Sequence, residues 1–468
     1  MTAKALILAA GAGTRMKSDK PKVVHEVLGK PLVRWVVDAA HDAGIEDVVT
    51  VLGHMSEKVA PLVDGDTKIA IQTQQLGTGD AVNAGREAFT QADGSIAEGS
   101  LVVLSGDCPL ITPETIQALI AKREETGAAV VVLTMHMDDP FGYGRIVREG
   151  EAVVRIVEQK DANEQEAAIT ECNSGFYCFD AQALFDALSR VSNDNAQGEY
   201  YLTDVLEICR NDGREVLALQ TADAEEAMGV NSRVQLAQAT RAMQHRINNR
   251  HMMAGVTMWD PESTFIGPDV EIAQDVELWP QTYLLGATKV GSHSVIGPNT
   301  RLTDTQVGSG ARVDETVAIE ACIDDAAECG PRAYLRPGTH LCEGAKAGTH
   351  VEIKKSTIGK GSKVPHLSYI GDTTMGENVN IGAGSITCNY DGVNKNHTEI
   401  GDNVFVGSDT MMVAPVNIGA GAIIGASSCI TRDVAPDALA LERADQREIE
   451  GWAAKHMAKL KAKKEAAK

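Results

Sequence analysis

Aliphatic side chains recur at Ile400, Val406, Met412, Ile418, Ile424 and Ile430, six residues apart each time, and a glycine follows four of them, at Gly401, Gly407, Gly419 and Gly425. An amphipathic helix repeats near 3.6 residues and a half-buried strand near 2, so neither pattern accounts for the run. A period of six matches a hexapeptide solenoid, in which each repeat supplies one short strand and one turn and points its apolar residue into a shared core. Three hexapeptides close one coil of a triangular prism. The small residue after each aliphatic one suits a turn where backbones stack closely or φ becomes positive. Looser copies at Val290-Gly291, Ile296-Gly297, Val307-Gly308, Ile358-Gly359, Ile370-Gly371 and Ile381-Gly382 leave room for about eight coils of about 18 residues between Val290 and Ile430. Chance Ile-Gly pairs in a β-sandwich would not hold six positions in phase without a miss.

The first half follows another rhythm. Lys4–Ala10 reads as a buried strand, Leu32–Ala43 as a helix, Asp47–Leu52 as a strand, Ser56–Val63 as a helix, and Ile69–Gln72 and Leu101–Asp107 as further strands. Alternation of this kind predicts an α/β, Rossmann-like domain with a mostly parallel sheet. Leu236, Ala239, Met243 and Ile247 share one face of a helix predicted from Ser232 to Met252, which reads as a linker. The expected organisation is an α/β domain over 1–231, a linker helix over 232–252, a β-helix over 253–440 and a tail over 441–468. The lysine-rich tail from Trp452 carries no core pattern and reads as a frayed basic helix.

Composition narrows the function classes. A chain of 468 residues exceeds what one core sustains, and aromatic residues make up only 4%, as a solenoid of small turns would have. The formal net charge of −22 argues against sequence-independent binding to nucleic acid or to an anionic membrane, so anionic small substrates need local cationic sites. No run of eighteen apolar residues occurs, and Met1-Thr2-Ala3-Lys4 leads into the first strand without a signal-peptide pattern. The nine cysteines form no Cys-x-x-Cys pair and are odd in number, which reads as reduced, cytoplasmic thiols.

Candidate chemistry begins at Gly11-Ala12-Gly13-Thr14-Arg15-Met16, a Gly-rich loop after the first strand, where backbone N–H groups can approach phosphates. Met16 breaks the dinucleotide fingerprint and no Gly-Lys-Ser/Thr is present for a Walker loop. By shape alone the segment fits a phosphate cradle with Arg15 and Lys22 as cations, or a plain βα turn. Gln72, Gly77 and Thr78 fall beyond a strand's carboxyl end, where ligands of such sheets sit. Asp107 ends a strand as well, and serves equally as a Mg²⁺ ligand or a turn residue. Thr387–His397 interrupts the solenoid with a polar loop, a natural carrier of function.

Taken together these motifs resemble the bacterial family of bifunctional N-acetylglucosamine-1-phosphate uridylyltransferases and glucosamine-1-phosphate N-acetyltransferases, over nearly the whole chain. The first half carries Leu8-Ala9-Ala10-Gly11-x-Gly13-Thr14-Arg15-Met16, Pro21-Lys22, Gln75-Leu76-Gly77-Thr78-Gly79, Gly106-Asp107-x-Pro109-Leu110, Gly142-Tyr143-Gly144-Arg145 and Gly198-Glu199-Tyr200-Tyr201. The second carries Leu335-Arg336-Pro337-Gly338, Val351-Glu352-x-Lys354-Lys355, Asn380-Ile381-Gly382-Ala383-Gly384, Thr387-Cys388-Asn389-Tyr390-Asp391-Gly392 and Val406-Gly407-Ser408-Asp409. Ala12, Ser105 and Val364-Pro365 depart from the family, which often has Lys, an aromatic residue and Ala-Gly there.

The resemblance implies a nucleotidyltransferase domain followed by a left-handed parallel β-helix of hexapeptide repeats, assembled as a homotrimer. It implies that UMP passes from UTP to N-acetylglucosamine-1-phosphate with release of pyrophosphate, after acetyl-CoA has acetylated glucosamine-1-phosphate, in supply of peptidoglycan and lipopolysaccharide precursors. Leu8, Ala9, Ala10, Gly11, Gln72, Gly77 and Thr78 are then expected to hold uracil and ribose, with Ser105 and Gly106 beside them. Gly144, Glu158 and Asn173 are expected to hold the sugar, Asp107 and Asn231 Mg²⁺, and Arg15 and Lys22 the triphosphate. In the solenoid the resemblance makes His366 the general base, a role a side chain of pKa about 6.5 suits near neutrality. Arg336, Lys354, Tyr369, Asn380 and Lys395 would bind glucosamine-1-phosphate, and Ala383, Asn389, Tyr390, Ser408, Ala426 and Arg443 acetyl-CoA. A nucleotidyltransferase with a purely structural solenoid would not need His366 or the Asn389-Tyr390 loop. A non-catalytic binding protein would not need Asp107, Arg15 and Lys22 together.

Overall fold

The computed structural model describes residues 3–150 and 152–467; Met1 and Thr2, which open the segment read as free of a signal pattern, and Lys468 of the tail lie outside the described residues. The chain divides into two compact units, one running to Arg250 with Phe265–Pro268 added, the other comprising His251–Thr264 and the residues from Asp269 onward.

In the first unit, runs rich in Val, Ile and Leu form the strands of one sheet, the central ones buried on both faces and the edge strand Lys68–Ile71 largely exposed. These are β1 (Lys4–Ala9), β2 (Asp47–Leu52), β3 (Lys68–Ile71), β4 (Ser100–Ser105), β5 (Val130–His136), β6 (Arg145–Glu149), β7 (Ala152–Val157), β8 (Glu171–Asp180) and β9 (Val216–Gln220). The sheet order is β9-β5-β8-β4-β1-β2-β3, with β6 pairing to β8 and to β7. Pairs β1-β2, β1-β4, β2-β3 and β5-β9 are parallel. The long β8 runs antiparallel between β4 and β5 while the other six strands of that order point one way, so the sheet is mostly parallel, as the alternation predicts, with one reversed strand inserted. The β6-β7 hairpin provides the reversal: β6 runs antiparallel to both β7 and β8, so β7 and β8 point the same way and flank it. Alternate residues of β1 face opposite cores, Leu6 one way and Ala5, Ile7 and Ala9 the other. Ser56–Val63 is one helical turn, Ser56–Val59, continued as a 3₁₀ turn through Leu62. The linker helix runs Arg233–Met253, with Ala239, Met243 and Ile247 buried.

The second unit is a parallel β-helix of three sheets with eleven, ten and nine strands. It begins at Thr257–Met258, well before Val290, so it has more coils than the Gly-marked repeats suggest. Each strand buries the predicted aliphatic residue, including Val406, Met412, Ile424 and Ile430. The glycine after it answers to close approach: a Cβ on Gly407 would stand 2.5 Å from the Ala426 nitrogen of the next coil. Positive φ falls two residues farther on, at Asn403, Asp409 and Ser427. Buried hydroxyls tie the corners, as where Thr300 accepts from the Thr316 N–H at 3.3 Å and donates to the Pro298 carbonyl at 3.1 Å. Trp452–Ala466 is an exposed helix.

If inward aliphatic residues carry the solenoid, Leu302→Ala, which empties a fully buried position, lowers stability by about 2–5 kcal/mol. Arg301→Ala, its exposed neighbour, changes stability by no more than about 0.5 kcal/mol. Denaturant unfolding followed by the β-sheet circular dichroism signal distinguishes them, and equal losses would contradict the packing.

Candidate active sites

Strands β1, β3 and β4 end at one edge of the sheet, and the loops beyond them line a cavity of about 280 Å³. Leu8, Ala9, Ala10, Gly11, Lys22, Gln72, Gly77, Thr78, Ser105 and Asp107, all expected here from the sequence, line it. Val23, Gln75, Ala81 and Glu199 line it too and were not among the candidates, although Gln75 and Glu199 lie inside the quoted motifs. Gly77 holds φ +116°, and a Cβ there would meet the Tyr200 carbonyl oxygen at 2.5 Å, so only glycine brings this loop against residues 199–202. Thr78 Oγ1 then accepts the Leu202 N–H at 3.0 Å. The buried Gln72 spends its carboxamide nitrogen on the Gly77 carbonyl at 3.1 Å and on Asp80 at 2.8 Å. Its oxygen therefore remains the acceptor.

At one side of the cavity Lys22 pairs with Asp107, and the same ammonium donates to Asn231 Oδ1 at 2.9 Å. Two oxygens 124 residues apart in sequence thus converge on one cation. The Val230 N–H donates to the Asp107 carbonyl at 2.9 Å and the Asn231 N–H to Gln235 at 3.0 Å, which fixes both partners from the backbone. A convergent pair of hard oxygens, already gathered round positive charge, has the donor chemistry Mg²⁺ takes. Arg15 is exposed and does not line the cavity. Gly106 lies outside its lining too, its N–H donating to the Leu8 carbonyl at 2.9 Å.

Gly144, Glu158 and Asn173 form a second cluster in the same unit. The Asn173 N–H donates to the Gly144 carbonyl at 2.9 Å, and a Cβ on Gly144 would press on Ile156 at 2.9 Å and stand 3.6 Å from Glu158 Oε1. Arg145, fully buried, holds this loop by donating to the Tyr143 carbonyl and to Gln159. Burial, with Asp161, Asp204 and Glu199 nearby, raises the Glu158 carboxyl above its ordinary range, against the Thr203 hydroxyl that donates to it at 3.4 Å.

In the solenoid the candidates separate onto two edges. The first edge joins the eleven-stranded sheet to the ten-stranded one, and there His366, Ala383, Ser408 and Ala426 occupy equivalent places in four successive coils. Their carbonyls accept, in turn, the N–H groups of Gly384 at 3.4 Å, Asp409 at 2.7 Å and Ser427 at 2.8 Å, and then the Arg443 guanidinium at 3.0 Å. Arg443 thus ends a column whose steps are about 4.8 Å. Asn380 starts the strand that leads to Ala383. His366 is exposed, its carbonyl also accepting from Ser368 Oγ at 2.7 Å.

The second edge joins the ten-stranded sheet to the nine-stranded one. Arg336 donates to Glu352 at 2.9 Å, and Lys354 meets both oxygens of Asp372 at 3.1 Å. Asn389 donates to Asp372 at 2.6 Å and to the Tyr369 hydroxyl at 3.3 Å. Asp372, buried and bridging Lys354 to Asn389, is the residue sequence reasoning missed here; its signal was a charged side chain at a turn after the buried Ile370. The broken coil leaves from this edge, with Lys395 Nζ 4.1 Å from the centre of the Tyr390 ring and Asp391 capping the loop through the Val393 and Asn394 N–H groups at 2.9 and 2.7 Å. Those bonds hold the Asp391 carboxyl far below its ordinary range.

Comparison with known proteins agrees with the two-part reading. The model of the MobA-like NTP transferase domain matches residues 5–212, and that of the bacterial transferase hexapeptide (six repeats) matches residues 397–432. The bifunctional protein GlmU of Streptomyces avermitilis is 49% identical, over 97% of this chain and 94% of its own length. That of Streptomyces coelicolor is 51% identical over 97% and 94%, and that of Syntrophomonas wolfei 48% identical over 96% and 99%.

One titration is measurable in the free chain. Burial, with Glu207 and Asp161 adjacent, raises half-buried Asp204 to about 6. A carboxyl that keeps its proton more tightly when folded costs stability as pH rises from about 4, the unfolded value, through about 6. Asp204→Asn should therefore stabilise the chain at pH 7 by about 1 kcal/mol, after allowance for solvent screening, with the gain closing below about pH 4. Unfolding midpoints across that window check it, and a pH-independent difference would contradict it.

Proposed function

The chain belongs to the family of the bifunctional protein GlmU, and from that membership we propose how its residues divide two reactions. It is a bifunctional enzyme of UDP-N-acetylglucosamine synthesis, acetylating glucosamine-1-phosphate with acetyl-CoA and then transferring UMP from UTP to N-acetylglucosamine-1-phosphate. The observation that carries the uridylyl-transfer assignment is the convergence of Lys22, Asp107 and Asn231 beside a cavity at the strand ends.

In uridylyl transfer, the ionised phosphate of the sugar attacks the α-phosphorus of UTP, forming one P–O bond as the α–β bridging P–O bond breaks and pyrophosphate leaves. No proton need move. Gln72 supplies an oriented acceptor to the uracil imide N–H, and Leu8 to Gly11 the surface on which the base lies. Asp107 and Asn231 would hold Mg²⁺, which when bound supplies positive charge against the triphosphate. Lys22, held at the cavity, and the exposed Arg15 beyond its rim add cations against the charge that builds on the transferred and leaving groups. Gly144, Glu158 and Asn173 take the sugar.

For acetyl transfer, His366 takes a proton from the amine of glucosamine-1-phosphate as its nitrogen attacks the thioester carbonyl. The C–N bond forms, the C–S bond breaks, and the coenzyme thiolate leaves. Arg336, Lys354, Tyr369, Asn380 and Lys395 grip the sugar phosphate, and the coenzyme runs along Ala383, Ser408 and Ala426 towards Arg443, with Asn389 and Tyr390 completing its contacts. Within one chain these residues occupy two edges, and the steps from His366 to Asp372 span up to about 20 Å of extended strand. A second copy that brings its own edge alongside removes that separation, which supports a homotrimer. A row of exposed apolar side chains in register, Phe405, Ile423 and Leu439, offers an assembly face. No described helix is long and apolar enough to cross a membrane, and we assign the enzyme to the cytoplasm, where UTP and acetyl-CoA are at hand.

His366→Ala should abolish acetyl transfer and leave uridylyl transfer intact, while Asp107→Ala does the reverse. Assaying both reactions on each folded variant checks the division, and loss of both activities from either change would sink it.

A further inference from the structure

On the nine-stranded sheet, strands Cys322–Ile323 and His340–Leu341 lie parallel, with Cys322 opposite His340 and Ile323 opposite Leu341. Ile323 and Leu341 are fully buried, so the period of two turns Cys322, Asp324 and His340 outward together. His340 Nε2 lies 2.8 Å from Asp324 Oδ2, and the Cys322 thiol donates to Asp324 Oδ1 at 3.3 Å. The sulfur, the ring nitrogen and the carboxylate oxygen all fall within 4.8 Å of one another, and no other described trio of His, Cys, Asp or Glu gathers in this way. All three residues are half-buried, and none belongs to either candidate active site.

We propose that Cys322, Asp324 and His340 form a site for a divalent cation of the Zn²⁺ class, with water in the fourth position. The donor set decides the class: thiolate and imidazole suit Zn²⁺, whereas Mg²⁺ and Ca²⁺ take oxygen. Tetrahedral bonds of about 2.0–2.3 Å put neighbouring ligand atoms about 3.3–3.8 Å apart, so the 2.8 Å contact of His340 with Asp324 opens by about half an ångström, and a separation at the 4.8 Å limit closes by about 1 Å. Side-chain rotation on an outward face supplies that. The nearby Cys342 offers no competing disulfide. It stands one strand across and two residues along from Cys322, a Cα separation of about 8 Å, beyond what a disulfide bridges. Binding exchanges the Cys322 S–H bond for a sulfur–metal bond and releases the proton to solvent, with no change of oxidation state. The ion ties two successive coils through side chains where the backbone ladder already joins them.

Co²⁺ is the probe, as a coloured stand-in for Zn²⁺. Full-length chain freed of metal with a chelator, and kept in Mg²⁺ to fill oxygen sites, is titrated with Co²⁺. One equivalent should bind with thiolate-to-cobalt charge-transfer absorption and the strong visible bands of a tetrahedral ion, and Zn²⁺ should displace it. Cys322→Ser should abolish the charge-transfer band, and His340→Gln should weaken binding more than about ten-fold, a loss typical even when only a partner of a ligand is removed. Both variants should keep both transferase activities. Absence of the charge-transfer band in the unaltered chain, its persistence in Cys322→Ser, or undiminished affinity in His340→Gln would each overturn the site.

Discussion

Close stacking of parallel coils is the constraint on which the second unit depends. Each inward aliphatic residue is followed where the next coil's backbone lies against the chain, and at Gly407 not even a Cβ fits without displacing Ala426. Two residues later the backbone enters the left-handed region at Asp409 and turns onto the next sheet. Because every coil repeats this geometry in register, residues at equivalent corners stand in columns. The column of His366, Ala383, Ser408 and Ala426 is a direct product of that register, and so is the carbonyl left at its end for Arg443. Regular packing thus becomes a ruler along which an extended coenzyme can lie.

The first unit solves a different problem, that of holding a polyanion on a chain whose formal charge is −22. It does so with local cations at strand ends. Lys22 is kept half-buried by its pairing with Asp107 and its bond to Asn231, so the cation and the two oxygens that would hold a metal are positioned by one another. The mixed sheet contributes to this arrangement. Its antiparallel β8 brings Asn173 beside Gly144 on the hairpin side, while the parallel strands β1, β3 and β4 deliver the loops around the cavity at their ends.

Much of this was legible from residues alone, and the exceptions have physical causes. The run from Ile400 to Ile430 was readable because every step is six. Earlier coils at Leu278 and Leu284 bury their aliphatic residues equally well, yet Trp279 and Leu285 follow where glycine would have marked the turn. Steps of five, as from Leu302 to Val307, break the phase in sequence while the corner at Asp304, with φ +49°, absorbs the missing residue. The cavity-lining residues were named through the family resemblance, because the Gly loop by its shape alone fits a plain βα turn as well as a phosphate cradle. Direction of β8 was hidden, since polar clusters flank it and no helical period sets its crossover. The division of the residues proposed for acetyl transfer between two edges was hidden too, because position around a triangle depends on counting through turns of unequal length. Asp372 escaped for the same reason: a turn aspartate looks alike whether it caps a corner or joins Lys354 to Asn389.

Coil register lays out the proposed coenzyme site as a column along one edge of the solenoid. A structure of the full chain with acetyl-CoA bound tests it most directly. Coenzyme density should run past the corners at Ala383, Ser408 and Ala426, with its thioester end near a His366. Density that lies on a sheet face, or on an edge without that column, would contradict it.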